Sequence, residues 1–166
     1  MKVKYKVIDN FLDPESFEKL KEFIMGHYIP WYYQSVVSLP EANDGYYFTH
    51  TFFNDKEGKA FSFPYLEKII DTLNPEVLLR AKANLYTQNN NQIKHNFHID
   101  DKDNKHQVAL YSINTNNGYT EFEDGTIVKS LANQICLFDG KLKHRSVTQT
   151  DTNIRININI NYLSNN

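Results

Sequence analysis

Four residues in this chain have types and spacings that could do chemistry together. His98 and Asp100 lie two apart in the polar stretch HNFHIDDKDNKH, residues 95–106; His144 follows the apolar run ICLF and the turn DGKLK; Arg155 comes 11 residues later. On an extended strand, residues i and i+2 share a face. His98 and Asp100 would then project together, about 7 Å apart at their backbones, with Ile99 in the opposite layer. An H-x-D pair alone is weak, since solvated polar side chains are its ordinary meaning. With a second histidine the set becomes two imidazoles and one carboxylate with open positions, the facial arrangement suited to non-haem Fe(II). If VTQTDTN is a hairpin turn centred between Thr150 and Asp151, Ser146 pairs with Arg155 and His144 with Asn157. His144 and Arg155 then face one interior, and a shift by one would turn Arg155 outward. A buried arginine beside a metal asks for an anionic co-ligand, because its planar guanidinium holds a carboxylate through two parallel hydrogen bonds. A divalent ion, Asp100, Arg155 and a dicarboxylate sum to zero charge, which lowers the cost of placing them in a low-dielectric cavity.

The rest of the chain bounds what such a site can belong to. Its 166 residues are the size of one domain, 40% hydrophobic and 23% charged, with 11 Tyr and 11 Phe to fill a core. The net charge of −2 and the lack of a Lys/Arg run do not suggest a nucleic-acid partner. Cys136, alone and inside ICLF, can make no internal disulfide and reads as core packing. No stretch is long enough to span a membrane, and MKVKYKVIDN lacks the apolar centre of a signal peptide. The expectation is a cytoplasmic protein.

Several elements must position the four residues. KVKYKVIDNFL alternates as a half-buried strand does. In DPESFEKLKEFIM, Asp13 caps, Pro14 fits the first helical position, Phe17, Leu20, Phe23 and Ile24 recur at helical spacing, and Gly26 ends the helix. The aromatic segment from Pro30 to Asp55 reads as irregular, with turns at Pro40, Asn43 and Gly45. A second helix is expected in SFPYLEKIIDTL, closed by Asn74-Pro75. From Val77 onward short strand-like runs recur between Asn/Gly/Asp clusters: LRAKANLYTQ, NFHID, QVALYSIN, YTEFED, TIVKSL, ICLFDG, HRSVTQ and NIRINININ. In the last run Ile154, Ile156, Ile158 and Ile160 share one face, and Arg155, Asn157, Asn159 and Asn161 the other. The expected fold is mostly β with N-terminal helices (α+β), an antiparallel jelly roll with both helices packed on one sheet.

HID at 98–100, ALYSIN, NNGYTEFEDG, NQICLFDGKLKH and IRININ together resemble the iron(II)/2-oxoglutarate-dependent oxygenases. The nearest branch is the prolyl-4-hydroxylase type, which includes small bacterial and phage-encoded members. The resemblance runs from about Arg80 to Leu163, and VIDNFLDPESFEKL is similar to the strand and helix that open such domains. It implies a double-stranded β-helix of cupin-like form and one domain over 1–166, with residues 1–76 as helical support and substrate-side loops and 77–163 as the jelly-roll core. It implies a dioxygenase that hydroxylates a C–H bond using Fe(II), 2-oxoglutarate and O2, with ascorbate as an in vitro additive. His98, Asp100 and His144 would be the catalytic iron ligands, and Arg155 and Tyr86 would bind the cosubstrate. Where related enzymes often read Tyr-Tyr-Leu-Asn this chain has YSIN, so Ser112 replaces a tyrosine that can assist the arginine.

The resemblance favours prolyl residues in protein or peptide as substrate and leaves small molecules open. A non-catalytic cupin-like binding module and a nucleic-acid demethylase are the alternatives; the first would not need Arg155 beside a metal, and the second wants a basic groove. His27, His50, His95 and His106 read as solvated rather than as ligands, Gly118 and Gly125 as turn residues, and Asp101 and Asp103 as loop charges. Trp31, Tyr32, Tyr33, Tyr46 and Tyr47 read as core and rim, with an aromatic substrate lid as the minority reading.

Overall fold

The computed structural model describes residues 5–37, 45–100 and 106–164. Pro40, Asn43, Asp101 and Asp103 lie outside the described residues. Two antiparallel sheets face one another. The larger runs β2 (Tyr32–Gln34), β3 (Tyr47–Asn54), β5 (Val77–Thr87), β11 (Ile154–Leu163), β6 (Gln107–Ser112), β9 (Gln134–Asp139), β1 (Tyr5–Ile8), with the two-residue β4 (Gly58–Lys59) paired to β3. The smaller is β10 (His144–Val147), β7 (Asn116–Phe122) and β8 (Ile127–Ser130). The HID stretch is not a regular strand. It runs along β10 through isolated bridges, Lys94 to Val147 and His98 to His144.

The first helix forms where the sequence caps it, and the second has its cap only at the end. Asp13 accepts a hydrogen bond from the Ser16 amide at 3.0 Å and opens α1 (Pro14–Met25), which Gly26 closes. The second expected helix is shorter at its start. Phe63–Tyr65 form a 3₁₀ turn, and α2 (Glu67–Leu73) follows, ending on Asn74 in the left-handed conformation. Phe17, Leu20 and Ile24 of α1 and Ile69 of α2 pack on the outer face of the large sheet, against Ile156, Ile158 and Ile160 of β11 and Ala81 and Ala83 of β5. The apolar face of the alternating C-terminal run is therefore the helix-facing side.

Between the sheets the interior divides in two. At one end Val108, Phe122, Cys136 and Phe138 form a small apolar cluster. Burial there pushes the Cys136 thiol up to about 12, consistent with an inert packing role. At the other end the wall is polar: Arg80, Lys82, Asn84 and Tyr86 of β5 stand beside Asn157 and Asn159 of β11.

Two expectations change here. The segment expected to be irregular contributes β3, an eight-residue strand paired along β5. His50, expected to be solvated, is 3% exposed on β3, with Nδ1 at 2.9 Å from the Pro30 carbonyl and Nε2 at 2.6 Å from Ser62 Oγ. Aromatic and Thr residues that lack a simple period still fit a strand when both faces are covered. Ile158→Ala deletes a fully buried side chain at the sheet–helix contact. It is expected to lower the unfolding free energy by about 2–5 kcal/mol, read from denaturant titration.

Candidate metal centre and anion pocket

His98 and His144 are direct cross-strand partners. Each donates its backbone N–H to the other's carbonyl, both at 3.0 Å. Partners in such a pair project from the same face, and the ring centroids lie 4.5 Å apart. Asp100, two residues on, is fixed by its amide to the Gly140 carbonyl at 3.1 Å. His98 Nε2 is 3.6 Å and His144 Nε2 4.0 Å from Asp100 Oδ1. One ligand atom from each of the three residues lies within 4.8 Å of the others, and no other such group of His, Cys, Asp or Glu occurs among the described residues.

The protonation states suit a cation. His144 Nδ1 lies 2.9 Å from the Leu142 carbonyl, which only an N–H can satisfy, so Nε2 carries the lone pair toward Asp100. Burial holds its pKa below the ordinary histidine value, against the opposing pull of Asp100. For Asp100, burial works to raise the pKa. His144, the Asn159 amide, His98 and Arg80 together outweigh it and hold the carboxyl below its ordinary value. Asn159 Nδ2 donates to Asp100 Oδ2 at 2.8 Å, which leaves Oδ1 turned toward the histidines. No local pattern marks Asn159 for this contact, although it shares Arg155's face four residues on.

Arg155 is 2% exposed. Its Nε donates to Ser130 Oγ at 2.9 Å and its Nη1 to Ser146 Oγ at 2.6 Å. Hydroxyls satisfy donors without neutralising charge, and no described carboxylate lies within ion-pair distance of the guanidinium. Its Cζ sits 5.4 Å from the centre of the Tyr86 ring, which also stacks on Tyr47 and His95. The assumed hairpin register is wrong. β10 pairs with β7, and β11 with β5 and β6, so Ser146 faces Thr120, while Arg155 faces Tyr86. Arg155 reaches Ser146 across the gap between sheets, not along one sheet.

Other residues correct the sequence reading. Gly118, expected in a turn, lies inside β7 under Arg155; a Cβ there would come within 2.8 Å of Arg155 Cδ. Gly125 does sit in a turn, with φ +85°. His95, expected to be solvated, is buried against Tyr86. Ser112 is buried on β6 opposite Asn157, whose Oδ1 accepts from Asn84 Nδ2 at 2.9 Å. Tyr111 points the other way, into the helix-side core, and donates to Asn133 Oδ1 at 2.7 Å. The triad opens into a cleft whose wall includes Tyr86, Arg80 and Lys82. Lys82 Nζ lies 3.2 Å from Tyr47 OH.

No protein-family profile matches the chain, and no curated protein matches it in sequence. Solved structures do match it in fold. A prolyl hydroxylase from Trichoplax adhaerens, solved with a peptide fragment of the hypoxia-inducible-factor oxygen degradation domain, superposes with TM-score 0.68 at 14% identity, covering 98% of this chain and 84% of that one. A prolyl-4-hydroxylase from Pseudomonas putida gives TM-score 0.65 at 14% identity, with coverage of 96% and 92%. An oxidoreductase of the 2OG-Fe(II) oxygenase family from Burkholderia pseudomallei gives 0.70 at 12% identity, with coverage of 99% and 87%. This chain thus shares its fold with these two prolyl hydroxylases and with this protein of the 2OG-Fe(II) oxygenase family.

Proposed function

We propose that the protein is an Fe(II)- and 2-oxoglutarate-dependent dioxygenase that hydroxylates a C–H bond. The observation that carries this is the buried Arg155, with hydroxyl partners but no described carboxylate, in the same interior as a His-Asp-His cluster. A metal-binding module without a cosubstrate would have no use for an uncompensated buried guanidinium, which is costly to desolvate.

The residues fit both groups. His98, Asp100 and His144 would hold Fe(II) through two imidazole nitrogens and a carboxylate, a donor set that suits this ion. Asn159 holds the orientation of Asp100, as second-layer partners of metal ligands do. Arg155 would take the distal carboxylate of 2-oxoglutarate with the donors its two serine bonds leave over, and Tyr86 would wall the same pocket. When bound, iron, 2-oxoglutarate and oxygen supply an oxidative decarboxylation coupled to hydroxylation of a C–H bond. The chain's own part is to hold the ligands on one face, orient the cosubstrate and keep water from the interior. Prolyl residues in peptides are the first substrate class to assay, an assignment supported by the fold of the two hydroxylases and by the peptide that accompanies one of them.

Three measurements test this. Calorimetric titration of Mn(II), an inert substitute for Fe(II), should show binding that collapses in His144→Ala and weakens about 10–100-fold in Asn159→Ala. The affinity should fall only as the pH drops below the ordinary histidine range, because protons compete with the metal for His144 Nε2 and burial holds the pKa of that group low. Arg155→Ala should keep metal but lose 2-oxoglutarate: two charge-assisted hydrogen bonds of about 1.5–3 kcal/mol each amount to roughly two to four decades of affinity. Gly118→Ala should weaken 2-oxoglutarate binding in the same direction by displacing Arg155, with metal affinity unchanged. Finally, the Fe(II) protein with ascorbate and O2 should form succinate from 2-oxoglutarate above the background of Asp100→Ala. Succinate no higher than that background, across a broad substrate panel with metal shown to be bound, would leave a non-catalytic module.

A further inference from the structure

The wall of the cleft carries more positive charge than a metal and 2-oxoglutarate account for. Arg80 and Lys82 stand on β5 on the same face as Tyr86, and both line the cleft with His98, Asp100 and His144. A divalent ion, Asp100, Arg155 and dianionic 2-oxoglutarate already sum to zero. Arg80 and Lys82 then remain as two further cations, and no described carboxylate lies within ion-pair distance of either. Their polar contacts are neutral. Arg80 Nη2 donates to Asn161 Oδ1 at 3.2 Å, and Lys82 Nζ to Tyr47 OH at 3.2 Å. Arg80 Nε is buried with no acceptor at all, and the neighbouring Asn159 Oδ1 is a buried acceptor with no donor.

Strand register separates this pole from the Arg155 pole. Arg155 stands opposite Tyr86, Asn159 opposite Lys82, and Asn161 opposite Arg80. At about 3.3 Å per residue, Lys82 is about 13 Å along β5 from Tyr86, level with the asparagine that holds Asp100, and Arg80 is about 7 Å further on. A cosubstrate that spans from Arg155 to the metal ends where the Arg80 and Lys82 pole begins.

We infer that Arg80 and Lys82 form a second anion-binding pole, which takes an oxyanion of the prime substrate, a carboxylate or a phosphate, beside the metal. The inference rests on the oxygenase reading above for the position of the cosubstrate. The same pole disfavours a cationic substrate, and Asn159 Oδ1 beside it accepts one N–H or O–H from the bound molecule.

The test uses the full chain loaded with Mn(II) and saturated with 2-oxoglutarate. Acetate and inorganic phosphate are the probes, followed through the paramagnetic relaxation of their ¹³C and ³¹P signals by the metal. At least one probe should bind close to Mn(II) in a saturable way. Its affinity should drop 10-fold or more in Arg80→Gln/Lys82→Met, while 2-oxoglutarate affinity, measured separately, stays within about 3-fold of the parent. Binding of acetate alone points to a carboxylate substrate, and binding of phosphate alone to a phosphate ester. Arg80→Gln and Lys82→Met are also tested singly, with thermal melts, so that a folding defect in the double variant cannot pass for lost binding. If 2-oxoglutarate binds but neither probe does, or if the double variant binds the probes as the parent does, the pole is overturned. If the double variant instead loses 2-oxoglutarate, Arg80 and Lys82 hold the cosubstrate and the inference is wrong. If the parent binds no 2-oxoglutarate, the oxygenase reading fails; the probes titrated into the metal-loaded protein then judge the pole alone.

Discussion

The reciprocal backbone hydrogen bonds between His98 and His144 are the constraint on which the site depends. Side chains alone could not set two imidazoles 4.5 Å apart with confidence, since each has two rotatable bonds. Direct pairing of their backbones fixes the separation before any rotamer is chosen. Asp100 inherits its place from the same pairing, two residues on and tied to the Gly140 carbonyl. The turn that precedes β10 then selects the tautomer of His144 through the Leu142 carbonyl. Asn159 comes from the opposite sheet to grip the carboxylate. The three donors are therefore held by both layers of the jelly roll, and the geometry exists only when the layers are packed.

Arg155 adds the second constraint. A guanidinium at 2% exposure forfeits most of its hydration, and two serine hydroxyls recover hydrogen bonds but not charge. The face of the Tyr86 ring contributes a weaker attraction. β7 yields room by carrying glycine at position 118, where any side chain would begin within 2.8 Å of the arginine. A chain optimised for stability alone would gain by replacing this arginine with an apolar residue. Its place in this niche is what the proposed role, positive charge held for an anionic ligand, calls for.

Much of this was legible in the sequence, and the parts that were not failed for physical reasons. The two-residue spacing of His98 and Asp100 carries its meaning even on an extended segment with only isolated bridges. The alternation of isoleucine with asparagine and Arg155 located both faces of β11. The partner of β10 was not legible. A short connection between two strands looks the same in sequence whether it closes a hairpin or turns a corner from one sheet to the other, and here it turns the corner. Gly118 reads as a turn residue in the sequence because the close approach that demands it comes from a strand 37 positions away. His50 and His95 looked solvated because burial of a histidine depends on distant partners, such as Ser62 and Tyr86, which local pattern cannot show. Segment 47–54 hid as a strand because its two faces are both covered and so do not alternate in polarity.

The polar wall of the cleft also disciplines the fold. On β11 every second residue from 155 to 161 is Arg or Asn, and on β5 the facing residues are Tyr86, Asn84, Lys82 and Arg80. These side chains pair across the strands or into the site: Asn84 to Asn157, Arg80 to Asn161, Asn159 to Asp100. A slip of one residue would turn all of β11's asparagines into the helix-side core and its isoleucines into the cleft. Each buried amide without a partner would then cost about 1–3 kcal/mol, and Arg155 more. The residues that equip the interior for ions thus make the wrong register prohibitive. The site's polarity, which taxes stability where it stands, gives the two longest strands of the large sheet a single way to pair.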